Sequence, residues 1–432
     1  MAWLLVAILL VFFPCAADEI TTITLLHTSD LHAHLLPDSN GKGGFAELRA
    51  TILEQKKLTP DSLLLDAGDM VQGTPVSTIY KGLPIFEVAN LMGFDATILG
   101  NHEFDYGWQQ ISNFCAVANF PILCANVIDG KKKILADSPD RIFVVKGVRI
   151  AVIGLLTEDL PHLTTPNLLG ETKVESILTS VRYELDSLKN KAEIFIVLGH
   201  LRDPESDSLA RQFPELTAVI AGHPHLSMKE PRKVGSGIVV SVANYGRELG
   251  RLDLGWSKER GKVVSINWRA IPVANIEPDP LVNAAVQAWE RRVASVVDIP
   301  IGTAAREFTK PEVKELTERA LKEQLGVDFA FANIGGIRDQ LPRGTILARH
   351  IWNIHPFDNR VVIGRFKGSD LPPSVTGQNA VIPQKVYTLA VSDFVAVNQA
   401  QMGTNGLQFP PPGDTLMRDI VIDWVKKQKV LQ

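Results

Sequence analysis

The sequence predicts an α/β protein of two domains, on three observations. Its 432 residues exceed what a single hydrophobic core usually organises. Up to about residue 272, short β-rich apolar runs alternate with stretches of helical period. Five of those runs end in Asp, His or Asn, and in an open α/β sheet the carboxyl ends of strands frame the binding crevice.

Residues 1–17 carry no charged side chain, and residues 4–13 form an apolar run of signal-peptide length, too short to span a bilayer. Small residues at Cys15-Ala16-Ala17 suit cleavage after Ala17. The expectation is a removed export leader and an extracytoplasmic protein, periplasmic or secreted. An uncleaved anchor is the alternative, and only then would the chain meet a membrane.

The first strand is read at Ile23-Thr24-Leu25-Leu26, followed by His27-Thr28-Ser29-Asp30-Leu31-His32. A helix over residues 45–56 follows, with Phe45, Leu48, Ala50 and Ile52 spaced among charges. The second strand, Ser62-Leu63-Leu64-Leu65, runs into Asp66-Ala67-Gly68-Asp69. After a helix at 85–92, the third strand, Ala96-Thr97-Ile98-Leu99, runs into Gly100-Asn101-His102-Glu103. Another helix is expected at 108–118 and a strand at 150–155. Strands at 194–198 and 218–220 end in Gly199-His200 and in Ala221-Gly222-His223-Pro224-His225. Strands at 237–242, 249–256 and 263–270 read as a meander.

Glu277-Pro278-Asp279-Pro280 then opens a helical pattern reaching residue 297, with Leu281, Ala284, Ala285, Ala288, Trp289, Val293 and Val296 at helical spacing. We read it as a connecting helix. Beyond Pro300 a smaller α/β domain is expected, with helices at 313–325 and 416–426 and loops at 372–383 and 410–413. The expected division is a leader at 1–17, a catalytic domain at 18–275, a linker helix at 276–298 and a C-terminal domain at 299–432.

Asp30, His32, Asp69, Asn101, His200, His223 and His225 can therefore converge on one sheet edge. Carboxylate, amide and imidazole together suit borderline divalent metals such as Zn²⁺, Mn²⁺ or Fe²⁺. Seven side chains exceed one tetrahedral ion. They fit two divalent ions, Zn or Mn foremost, sharing a bridging carboxylate, the two-metal arrangement for phosphate-ester hydrolysis. A net charge of −4 leaves no basic footprint for nucleic acid or anionic membrane. The expected partner is a small-molecule nucleotide or phosphate ester, drawn in by metals and a few arginines. Gly41-Lys42-Gly43-Gly44 lacks the Gly-Lys-Ser/Thr ending of a phosphate loop and reads as a connector. Cys115 and Cys124 lie among apolar residues and read as buried thiols, a bridge between them staying open. His27 and His34 read as support residues; His162, His350 and His355 read as surface or core histidines.

These blocks, in order and with Gln72-Gly73-Thr74-Pro75 and Phe104-Asp105-Tyr106-Gly107, resemble the 5′-nucleotidase family of two-domain metallophosphoesterases. The resemblance covers residues 21 to about 272 well. It implies an N-terminal metallophosphatase domain built as a four-layer α/β/β/α sandwich, followed by a smaller α/β substrate domain. It also implies that Asp30, His32 and His225 hold one ion, that Asn101, His200 and His223 hold the other, and that Asp69 bridges. His102 is then no ligand but stabilises charge on the phosphate or leaving oxygen, and Asp105 orients it. A water between the two cations would be the nucleophile. In the C-terminal half, Asn333-Ile334-Gly335-Gly336-Ile337-Arg338 and His355-Pro356-Phe357-Asp358-Asn359 resemble the family's substrate motifs. They imply that Asn333, Arg338 and Asn359 contact substrate; an interdomain ion pair is the other reading of Arg338.

Two departures concern the nucleobase. The family stacks the base between two aromatic rings. Here only a short stretch separates Asp370 from Val386, so the strand carrying one ring is expected to be missing, and Leu407 stands where the other ring belongs. Base–aromatic stacking contributes roughly 1–3 kcal/mol per base, so weak discrimination among bases is expected unless Phe394 or Phe409 replaces a ring. The leading expectation is a 5′-nucleotidase-like phosphomonoesterase. A cyclic-nucleotide or nucleotide-sugar phosphodiesterase or broad phosphatase on the same core is the alternative. A secreted, non-catalytic binding protein is the third.

Overall fold

The computed structural model describes residues 18–432; the expected leader lies outside the described residues. Two six-stranded sheets build the first domain. In one, Ile20–Thr28, Leu63–Asp66, Ala96–Ile98 and Ile122–Leu123 lie parallel, with Glu248–Ser257 and Lys262–Pro272 joined antiparallel; these are two strands of the expected meander, whose first strand, Gly237–Val240, belongs instead to the other sheet, parallel to Leu216–Gly222. In the other, Val148–Leu156, Ile194–His200, Leu216–Gly222 and Gly237–Val240 run parallel, flanked by the antiparallel edges Asp140–Val145 and Arg232–Val234.

Side-chain alternation explains why the sheets stack. Along the first strand, Ile23 and Leu25 enter the layer between the sheets, while Leu26 points to the helices outside. Leu65, Ile98, Val152, Ile196 and Ile220 fill the same inner layer. Phe45–Leu58, Leu83–Ala89, Gln110–Val117 and Pro280–Val297 cover the first sheet, and Ile177–Leu188 and Asp203–Gln212 cover the second. The result is the four-layer α/β/β/α sandwich.

Register aligns the functional strand ends. Thr28 pairs with Asp66, and Asp66 with Thr97; in the second sheet His200 pairs with both Leu156 and Gly222. The loops that follow therefore leave both sheets on one edge.

The helix Pro280–Val297 is capped by Asp279, whose side chain accepts from the N–H groups of Leu281 and Val282. It buries Val282, Val286, Val293 and Val297 against the first domain, so it is a packed element as well as a connection. The C-terminal part holds two three-stranded sheets with the helices Lys310–Leu325 and Met417–Gln428. Some boundaries differ from expectation. The helix expected at 85–92 ends at Ala89, and the stretch expected as a loop at 372–383 contains a short helix, Pro373–Thr376, with proline at its first position, where no N–H is needed. No helix among the described residues is long and apolar enough to cross a membrane.

Candidate active site and metal centre

Two buried carboxylates shape the loops before any ligand chemistry begins. Asp66 accepts from Thr28 Oγ1 (2.7 Å), Thr97 Oγ1 (2.8 Å) and the Gly68 N–H (3.1 Å), tying three strand ends together. Burial pushes its carboxyl up to about 7 despite those hydrogen bonds. Glu103 accepts from the backbone N–H groups of Asp69, Met70, Val71 and Gly100. Burial first and the Asp69 charge second raise it to about 7. Gly100 must be glycine because a Cβ there would collide with Asp69.

The loops are backbone-strained where the expected ligands sit. Asp30, His32, Asp69, His223 and His225 all have left-handed φ, between 47° and 87°. For residues other than glycine such conformations cost roughly 1–3 kcal/mol each and cluster at functional sites.

The structure brings all seven expected ligands together. Asp30, His32 and His225 form one group of side chains able to hold a metal, and Asp69, His200 and His223 another, with each group's ligand atoms within 4.8 Å of one another. Asp69 lies between them, its Oδ2 at 3.0 Å from His200 Nε2 and 3.8 Å from His32 Nε2. Asn101 Oδ1 is 3.1 Å from His200 Nε2. His225 Nε2 is 3.0 Å from His32 Nε2 and 3.3 Å from Asp30 Oδ1. Nδ1 of His200 donates to the Ala67 carbonyl (2.9 Å), which turns Nε2 toward the cluster. Asn244 orients His225 through Nδ1 at 3.0 Å.

The electrostatics fit divalent cations. Asp30 and Asp69 are fully buried, and burial alone would raise both carboxyls. Histidine contacts outweigh burial and hold both below the ordinary value: the His225 hydrogen bond and the His200 charge for Asp30, the His200 and His102 charges for Asp69. Burial would depress His200, but Asp69 lifts it to about 10. His32 and His223 are instead depressed, His223 to about 4, by burial first and then by neighbouring Arg338 and His200 respectively. Two buried anions thus need positive charge: without an ion the His200 imidazolium supplies part of it, and a bound divalent ion would supply it instead as His200 gives up its proton to become a ligand.

His102 lies beside this cluster. Its Nδ1 is 2.7 Å from Asp105 Oδ2, its Nε2 is 3.9 Å from Asp69 Oδ2, and its backbone N–H donates to Asp69 Oδ1 (2.9 Å). Burial depresses this imidazole, but Asp105 and Asp69 together leave it above its ordinary value. Arg338 reaches across from the C-terminal part, its guanidinium 3.3 Å from His32 Nε2. It lies within 4.0 Å of no carboxylate among the described residues, so the interdomain ion pair is not formed.

Two cavities flank Arg338. One, of about 420 Å³, holds Gln72, Asn101, His102, Asp105, His223, Asn333, Asn359, Phe357 and Phe394 among its lining residues. The other, of about 750 Å³, is more charged, with Arg247, Lys310 and Asp339 beside Tyr245 and His225. Leu407 is in neither; it is buried in the C-terminal core, and Phe409 packs edge-on against Phe366. Of the two candidate replacement rings, Phe394 is the one at the cleft.

Other histidines fall into supporting places. His27 is buried and stacks on Trp268 at 5.1 Å; His34 stacks on Tyr245 at 3.8 Å. His355 is in the core, hydrogen-bonded to Thr317, and His162 is exposed beside Asp159. Cys115 and Cys124 are free thiols.

Sequence reasoning gave no role to Glu103, although it stands inside a quoted motif; its signal is an acid that must be buried next to ligands. Nor did it single out Gln72. That side chain is 1% exposed, lines the cleft, and neither amide atom has a partner.

Comparison with known proteins agrees with this geometry. Residues 23–227 match the calcineurin-like phosphoesterase family, and residues 294–379 match the 5′-nucleotidase C-terminal domain. The chain is 25% identical over 444 residues to protein UshA of Yersinia enterocolitica, covering 88% of this chain and 80% of that protein. It is 26% identical over 450 residues to the 5′-nucleotidase of Vibrio cholerae, with 88% and 79% covered. The 5′-nucleotidase precursor of Thermus thermophilus superposes with a TM-score of 0.84 at 22% identity, covering 95% of this chain and 97% of that one. The sulfate thiohydrolase SoxB of the same organism superposes with 0.81 at 16% identity, with 95% and 94% covered. Proteins of this fold are therefore named for more than one hydrolytic activity, and the site must choose. The first domain is a metal-dependent phosphoesterase, a hydrolase of phosphate esters. The chain joins this calcineurin-like phosphoesterase domain to a 5′-nucleotidase C-terminal domain, the domain pairing of the 5′-nucleotidase family.

Proposed function

We propose that the protein is a 5′-nucleotidase-like phosphomonoesterase with two divalent ions, Zn²⁺ or Mn²⁺. Asp30, His32 and His225 hold one ion, Asn101, His200 and His223 hold the other, and Asp69 bridges them. The observation that carries this reading is the position of Asp69, within reach of both ligand groups and pinned by the His102 N–H. When bound, such ions supply Lewis acidity toward phosphoryl oxygens and lower the pKa of an attacking water.

The chain's own residues do the rest. His102 offers Nε2 to the phosphoryl or leaving oxygen, while Asp105 accepts the Nδ1–H and fixes the ring. Arg338, without a carboxylate partner among the described residues, is available to a phosphate, with Asn333 and Asn359 on the same cleft. Relatives named 5′-nucleotidase favour a nucleotide as the ester. The apolar run at 4–13 goes with an extracytoplasmic site of action.

A second reading, a nucleotide-sugar or cyclic-nucleotide diesterase, draws on the charged cavity of about 750 Å³, which offers room for a second substituent. Turnover of AMP, UDP-glucose, 2′,3′-cyclic AMP and p-nitrophenyl phosphate, read by identifying the products with and without chelator, separates them. AMP is expected to lead; a lead for either diester overturns the monoesterase assignment, and activity that survives chelation overturns the metal centre.

A further inference from the structure

We propose that residues 163–168, a segment of the phosphoesterase domain, form one wall of the nucleoside subsite, so that the base is held across the domain interface and not by the C-terminal domain alone. This rests on the nucleotidase reading above and specifies its substrate contacts.

The cleft beside His102 has about 420 Å³, a volume typical of pockets that enclose a whole small molecule and not only its phosphate. Leu163, Thr164, Asn167 and Leu168 line it from the first domain, and Phe394 and Gln401 from the second. Apart from Arg338 and Arg360, the lining carries no cationic lysine or arginine, while Asp105, Asp358 and Asp393 contribute carboxylates. A second anion is poorly served there. A neutral, flat group with a hydrogen-bonding edge is well served by amides, hydroxyls and apolar faces, which is the chemistry of a nucleobase on its ribose.

Thr164 supplies an independent sign of a ligand. It is 3% exposed, it lines the cleft, and its Oγ1 has no hydrogen-bond partner. Buried polar groups are normally paired, so an unpaired one at a binding cleft marks a place for a ligand atom.

The segment is held firmly. Leu160 and Leu169 anchor it in the core beneath the first sheet, and the Trp108 N–H donates to the Leu168 carbonyl at 2.8 Å. Gly170, at φ 57°, lies so close to the Trp108 indole that a side chain would collide. Trp108 closely follows the turn carrying His102 and Asp105, so wall and reacting groups belong to one packed unit.

The same segment answers the reduced aromatic clamp. With Leu407 in the core and Phe409 against Phe366, Phe394 is left as a ring at the cleft on the C-terminal side. Leu163 and Leu168 stand ready to cover the other face of a base. Threonine hydroxyls and asparagine or glutamine amides both donate and accept, so they tolerate different base edges.

The test compares kcat/KM for AMP with that for ribose 5-phosphate, which keeps the phosphate and sugar but lacks the base. The wild type is expected to favour AMP by about tenfold or more, and Thr164→Val combined with Asn167→Ala to reduce that ratio about fivefold, chiefly through KM for AMP. Phe394→Ala should reduce it as well. If the double variant leaves the ratio unchanged, including by losing both substrates equally, the wall assignment is overturned. If the wild type shows no preference for AMP over ribose 5-phosphate, the nucleotidase reading itself fails, and this is seen before any variant is made.

Discussion

At Asp69, a left-handed backbone, a hydrogen bond from the His102 N–H and the rings of His32 and His200 converge on one carboxylate. Asp69→Asn keeps the shape but removes the charge, and metal analysis should then find both ions lost together; two ions retained would contradict the bridge. His102 differs in kind, since its Nδ1 is committed to Asp105 and its Nε2 stands off Asp69. His102→Asn should keep metal near wild-type levels and lower kcat by roughly 10²–10⁴-fold, the usual contribution of a positioned acid or charge stabiliser. Loss of metal in that variant would make His102 a ligand. The convergence of the seven candidate ligands was legible because each follows an apolar run in a motif. Thr164 and Gln72 were not, because an unpaired buried polar atom is a property of neighbours that only the fold supplies.

Elements ending in site residues were among the readable ones. Strands such as Leu63–Asp66 and Ile194–His200 are continuous apolar runs, as parallel strands covered on both faces must be. Asp203–Gln212 was missed because it is nearly all polar and is set by Glu205, whose carboxylate accepts from the Arg202 N–H at its start. The helix expected at 85–92 overshot because helical period persists past Ala89, where the chain turns toward Gly93 at φ 76°. One unread helix makes a pH prediction. Glu184 on Ile177–Leu188 lies near Asp140 on Asp140–Val145, and burial first and Asp140 second raise its carboxyl to about 7. Between its ordinary value of 4.5 and 7 the folded state then holds a proton that the unfolded state has released, so stability falls as pH rises through that window. Glu184→Gln should flatten that fall in Tm between pH 5 and pH 8, read by thermal melts; an unchanged slope would show that the pair does not titrate there.

Over the whole molecule, the two parts meet at the site. Thr78 Oγ1 donates to the Pro356 carbonyl at 2.9 Å, Arg349 pairs with Glu290 and Asp298, and Phe357 lies 5.8 Å from the His102 ring. This junction lines the cleft from both domains, which sequence motifs taken one at a time do not reveal. The contacts to phosphate are shared by every nucleotide, and the cleft's amides and hydroxyls are tolerant of base edges. AMP, GMP, CMP and UMP should therefore differ in kcat/KM by less than about tenfold, roughly 1.4 kcal/mol. A hundredfold preference for one base would mean a selective clamp. The strained, charge-rich ligand loops should also depend on the ions for stability, since a ligand that binds only the folded state raises Tm; a chelator should lower Tm, and an unchanged melt would contradict that dependence. The most direct test is to strip the protein with chelator and follow phosphate release from AMP as Zn²⁺ or Mn²⁺ is returned. Activity should vanish on stripping and return fully at two equivalents per chain. Full activity at one equivalent, or phosphate release that survives stripping, would contradict a two-ion centre.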